Sequence, residues 1–78
     1  MSGGGLPTVN GKHTVRALQR AGFVVGRIVG SHHVLYRPDN PVRAVTVPVH
    51  GSRDLKPGTL RAIIRQAGLS VEEFANLL

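Results

Sequence analysis

The middle of the chain constrains the fold most, because three β-branched runs of strand length follow one another with almost nothing between them. "FVVGRIV" (23–29) passes through Gly30-Ser31 into "HHVLYR" (32–37), and "PDNP" (38–41) leads on to "RAVTVPV" (43–49). A break as short as Gly30-Ser31 predicts an antiparallel hairpin. Pro38 to Pro41 is a strong turn signal, since proline presets φ and Asp and Asn bond their own backbone. In the third run Val45, Val47 and Val49 alternate with Ala44, Thr46 and Pro48, the period of a half-buried strand. Pro48 has no N–H for a ladder, so this strand is expected at a sheet edge or to end there.

Helical patterns flank this core. In "NGKHTVRALQRAGF" Asn10 is the expected N-cap, its side-chain oxygen accepting from a free first-turn N–H. Val15, Leu18 and Ala21 form a narrow apolar stripe, Arg16 and Arg20 share another face, and Gly22 is the expected stop. After the polar loop "HGSRDLK", Pro57 suits the first position of a helix whose Leu60, Ile63, Ile64 and Ala67 share one face. Arg61 and Arg65 lie on the other face, and Gly68 ends the helix. "SVEEFANLL" opens with a Ser70-x-x-Glu73 capping box, and Phe74, Leu77 and Leu78 are expected to pack back onto the body. The order is α-β-β-β-α plus a short terminal helix, an α+β fold. A three-stranded antiparallel sheet has one face to bury, and two helices suffice to cover it.

At 78 residues there is room for one domain. A chain of this size buries only about 60% of the surface it exposes when unfolded, which leaves no space for a large enclosed pocket. Residues 1–9, "MSGGGLPTV", read as a flexible tail before a domain of residues 10–78. They lack the apolar and charged regions of a secretory signal. No apolar run approaches the length of a membrane span, and there is no cysteine for disulfides or thiolate metal sites. These readings fit a cytoplasmic protein, monomeric if the sheet spends its apolar face on its own helices.

Charge narrows the function. The net charge is +6, eight of the ten basic residues are arginine, and no acidic residue precedes Asp39. Arginine's planar fork matches phosphate geometry, so the chain reads as a nucleic-acid binder or as the cationic half of a complex with an acidic protein. A merely solvated basic surface is the plain alternative. Arg27, Arg37, Lys56, Arg61 and Arg65 are the candidate phosphate contacts. Lys56 precedes Pro57 at a helix N-terminus, where free N–H groups favour an anion. The only aromatic side chains are Phe23, Tyr36 and Phe74, too few for base-specific stacking along a single strand.

Histidine exchanges a proton near neutral pH without special tuning, which makes His32 and His33 the candidate chemical groups. In a strand, neighbours point to opposite faces, so one of them shares a face with Val34 and Tyr36 and the other with Leu35 and Arg37. The pair therefore cannot chelate one metal, and His13 and His50 offer no ligand spacing. No metal and no cofactor is expected. Read plainly, both histidines are ordinary strand residues. Read chemically, one stands beside Gly30 above a basic surface and takes the proton from an RNA 2′-OH, which attacks the adjacent phosphorus. Gly30 lets backbone approach a phosphate, and Ser31 offers a hydroxyl or N–H. For the second proton transfer His33, Tyr36 and His50 are candidates by residue type alone.

"LQRAGFVVGRIVGSHHVLYRPDN", "VTVPVHG" and "LKPGTLRAIIRQAGLSVEEF" occur in this order and resemble the HicA toxins of bacterial toxin–antitoxin modules, across nearly all of the chain after the tail. The element order also resembles the double-stranded-RNA-binding fold. The resemblance implies a toxin that cuts mRNA without a metal, inhibits translation and is neutralised by a HicB antitoxin. It assigns activity to the histidine of the Gly-Ser-His segment, here Gly30, Ser31 and His32, with the adjacent His33 as the alternative. Two further readings stand beside this one. The first is a non-catalytic module that recognises double-stranded RNA by shape. The second is a basic domain whose only partner is an acidic protein.

Overall fold

The structure, a computed structural model, describes residues 5–38 and 42–78. Among these residues six elements follow in chain order: α1 (Gly11–Arg20), β1 (Val24–Val29), β2 (His32–Arg37), β3 (Arg43–Pro48), α2 (Pro57–Gln66) and α3 (Val71–Ala75). The strands form one antiparallel sheet in the order β1-β2-β3, with both helical segments on one side. This is the expected α-β-β-β-α architecture with a short terminal helix. β3 is an edge strand and Pro48 is its last residue, as the missing N–H requires. Residues 39–41 of the expected Pro38–Pro41 turn lie outside the described residues.

The helices begin where their capping chemistry allows. The Asn10 side chain accepts the His13 N–H at 2.8 Å, and the buried Thr14 hydroxyl donates to the Asn10 carbonyl at 2.8 Å. Pro57 opens α2 with Lys56 before it. The box at α3 is reciprocal: the Ser70 hydroxyl accepts from the Glu73 N–H, and the Glu73 carboxylate accepts from the Ser70 N–H. Gly22 and Gly68 both take positive φ just after the first two helices, the conformation that glycine adopts at least cost.

Two apolar clusters hold these elements together. In the first, Val15, Leu18 and Ile63 from the helices meet Phe23, Leu35, Val45 and Val47 beneath the sheet. In the second, Ala17, Leu60 and Ile64 close around Phe74, which carries α3 onto the body. Fully burying one such side chain contributes roughly 1.5–3 kcal/mol, so a few of them dominate the stability of so small a domain. Leu77 is half-buried, but Leu78, expected to pack beside it, is 47% exposed. The folded body also starts earlier than residue 10. Val9 is buried in the second cluster, Leu6 packs against it, and the Val9 carbonyl accepts the Leu55 N–H at 2.9 Å. A valine and a leucine in an otherwise Gly-rich stretch find apolar partners there.

α1 and α2 both run antiparallel to β3. Gly11 at the start of α1 lies so close to the Pro48 carbonyl and Val49 that an added Cβ would come 2.9 Å from the Val49 Cα. Lys56, at the start of α2, lines a groove together with Pro48. At the opposite end, Arg43 donates to the Gln66 carbonyl at 3.3 Å, and Gly22 abuts the Arg37 side chain. The positive N-terminal ends of both helices therefore point to the end of the sheet where Pro48 stands.

Candidate active site and nucleic-acid interface

That end of the sheet carries the two histidines. Gly30 has φ of +59° and among the described residues no non-glycine residue has positive φ, so Gly30-Ser31 has the signature of a two-residue type II′ hairpin turn. The Ser31 carbonyl accepts the Val49 N–H at 2.6 Å, which ties the turn to the end of β3. An added Cβ on Gly30 meets nothing within 4 Å, so the demand for glycine here is conformational and the space above the turn is open.

Strand alternation then separates the histidines, as their adjacency requires. His32 pairs with Val29 and Pro48 on the open face of the sheet and is exposed. His33 pairs with Ile28 and Val47 on the helix-covered face, in line with the fully buried Leu35. The His33 ring is half-buried, and its Nδ1 is buried without a hydrogen-bond partner. Among the described residues His32 takes part in none of the side-chain hydrogen bonds.

A β-bulge sets which cation lies beside His32. Val25 pairs with Leu35 and Arg27 with Val34, so Gly26 is an extra residue in β1. Without it Val25 and Arg27 would share a face; with it Val25 points to the core and Arg27 to the open face, diagonal to His32. The Tyr36 ring lies across Gly26, in the space a Cβ would fill. Gly26 within a β-branched run is the sequence signal for such a bulge, and alternation alone overlooks it.

The other expected phosphate contacts do not gather around the histidines. Lys56 does come to the same end, in a groove of ≈ 330 Å³ that it shares with Pro48, His50, Arg53, Asp54 and Thr59. A turn closed by the Arg53 N–H on the His50 carbonyl at 3.0 Å sets His50 and Arg53 beside it. No sequence pattern singles out Arg53, because the groove that joins it to Pro48 and Thr59 exists only once the loop folds between β3 and α2. Arg61 and Arg65 are exposed on α2. Arg37 lies at the far end of β2, on the helix-covered face, with its guanidinium 5.2 Å from the Phe23 ring centroid. Five residues of strand set it about 16 Å from His32. Arg43, on the same face, caps the C-terminal end of α2.

Among the described residues no group of three or more His, Asp or Glu side chains is placed to hold a metal ion, and no helix is long and apolar enough to cross a membrane. What converges is one half-buried imidazole, one exposed imidazole, cations on either side and two helix N-termini. Such a set can move a proton and hold an anion.

Residues 11–69 match a family model described as the HicA toxin of bacterial toxin–antitoxin. Comparison with curated proteins finds no match.

Proposed function

The chain belongs to the HicA toxin family, and from that premise we propose that it is the toxin of a toxin–antitoxin pair, a metal-independent endoribonuclease that cuts mRNA in the cytoplasm and is held in check by a HicB-type antitoxin. The observation that carries this reading is the histidine pair after Gly30-Ser31, at the end of the sheet where both helix N-termini point. His33 is the proposed proton-transfer group. The sequence put His32 first, but the half-buried ring of His33, with one nitrogen inside the protein, supports a fixed orientation toward substrate. His32 stands on the open face as an auxiliary group.

The chemistry follows from these groups. A neutral imidazole takes the 2′-OH proton, the 2′-oxygen attacks phosphorus, and the 5′-oxygen leaves with a proton from an acid. Arg27 and Lys56, one on each side of the histidines, offset the charge that develops on the phosphate, and the Ser31 hydroxyl orients an oxygen beside the turn. Arg61 and Arg65 extend the phosphate track along α2. Arg37, engaged with Phe23, is left out of it. One general acid–base group supplies about 10²–10⁴-fold, which suits slow cleavage of unfolded message.

The test is incubation of end-labelled mRNA with the purified chain in EDTA. Attack by the 2′-oxygen predicts products ending in 2′,3′-cyclic phosphate and 5′-hydroxyl, and no cleavage of single-stranded DNA. Cleavage that EDTA abolishes, or products with 3′-hydroxyl ends, would overturn the mechanism. Binding of duplex RNA with no cleavage would favour a recognition module instead.

A further inference from the structure

A second concave surface lies on the flank of α1, and nothing in the proposed chemistry uses it. It is a groove of ≈ 350 Å³ lined by Thr8, Val9, His13, Arg16, Arg20 and Leu78, at the small end of the roughly 300–1,000 Å³ range of binding clefts. His13, Arg16 and Arg20 are spaced three and four apart, which places them in a row on one helix face. Among the described residues no acidic side chain lines the groove, and Val9 and Leu78 provide aliphatic wall. Arg20 is already oriented: its Nη1 donates to the Leu77 carbonyl at 2.6 Å, a bond that bridges α1 to the end of the chain. A guanidinium has five N–H donors, so most of that fork remains for a ligand.

We propose that this groove is a docking site for an acidic amphipathic segment of a partner protein, with an aliphatic side chain against Val9 and Leu78 and carboxylates on Arg16 and Arg20. Charge complementarity selects an anion, and two features select a peptide over RNA. Among the described residues the lining holds no Phe, Tyr or Trp and offers a base only the small His13 ring to stack on. Its wall is aliphatic, a surface that a leucine fills and a sugar–phosphate chain does not. Charge-assisted pairs at an arginine fork then set the register of the segment. None of the lining residues belongs to β2, so the groove itself does not include His32 or His33. This groove and its ligand take no part in RNA cleavage.

The experiment uses the full chain and a short fluorescein-labelled helical peptide with leucines along one face and glutamates beside them, at physiological ionic strength. Arg16 is exposed, so Arg16→Glu keeps the fold, which circular dichroism verifies, and Arg16→Gln serves as the milder variant. Arg16→Glu is expected to weaken binding roughly tenfold or more, the loss of one charge-assisted pair, whereas Lys12→Glu, on the same helix but outside the groove, changes it by less than about twofold. Amide shifts on titration should centre on Thr8, His13 and Arg16 and spare His32 and His33. Equal losses for the two reversals would overturn the proposal, as would equal affinity for a peptide with serine in place of leucine. A uridine oligonucleotide that displaces the peptide and depends on Arg16 more strongly than the peptide does would also overturn it, and would make the groove an RNA surface.

Discussion

Gly26 and Gly30 stand four residues apart in one hairpin and are glycine for different reasons. At Gly26 the Tyr36 ring occupies the place of a Cβ, whereas at Gly30 the space is free and only the positive φ demands glycine. Gly26→Ala should therefore cost about 1 kcal/mol and displace the ring. Tyr36 is the only tyrosine and the chain has no tryptophan, so intrinsic fluorescence reports that displacement directly. Gly30→Ala should cost about 1–2 kcal/mol through backbone strain while leaving the tyrosine signal unchanged. Loss of stability at Gly26 without a change in fluorescence would contradict the packing described. The separation of His32 from His33 was readable from adjacency in a strand. Which of the two faced the helices was not, because that depends on register with β1 and β3, and register is a relation between segments.

The elements differ in how far away their supports come from. The Ser70-x-x-Glu73 box lies within four residues and was legible in the sequence; Ser70→Ala should cost about 1 kcal/mol, read from the urea midpoint. The end of α2 depends on Arg43, 23 residues from Gln66, whose guanidinium also lies over Gly68, where an added Cβ would come 2.7 Å from its Cζ. Arg43→Met keeps the aliphatic stem and removes the bond to the last turn, so a loss of about 0.5–1.5 kcal/mol is expected. An unchanged midpoint would mean that the carbonyl is satisfied by water. No sequence pattern links an arginine at a strand start to a helix end in a later segment, and the strand alternation that revealed Val45 and Val47 is silent about it. The bulge at Gly26 is an intermediate case, since glycine within a β-branched run marks it but does not say which face Arg27 will take.

Across the whole molecule, charge and topology act together. Both helices run antiparallel to β3, and that arrangement turns a basic composition into an electropositive end beside the histidines. Composition points to a phosphate partner but not to where one would sit, because the groove of Lys56, His50 and Arg53 forms only once α2 packs against β3. RNA affinity should fall with salt, with a slope of about −0.7 per single-strand phosphate contacted. Arg27→Gln and Lys56→Gln should each flatten the slope by about that amount, whereas Arg37→Gln, at the far end, should lower thermal stability and leave the slope alone. A flattened slope for Arg37→Gln would extend the interface to the Phe23 end of the sheet. Proton transfer by His33 is decided by comparing His33→Gln with His32→Gln in EDTA, measuring both cleavage rate and RNA affinity. His33→Gln is expected to lose cleavage by about 10²-fold or more with affinity preserved, while His32→Gln retains most of the rate. Full cleavage by His33→Gln, or the larger loss in His32→Gln, would contradict it.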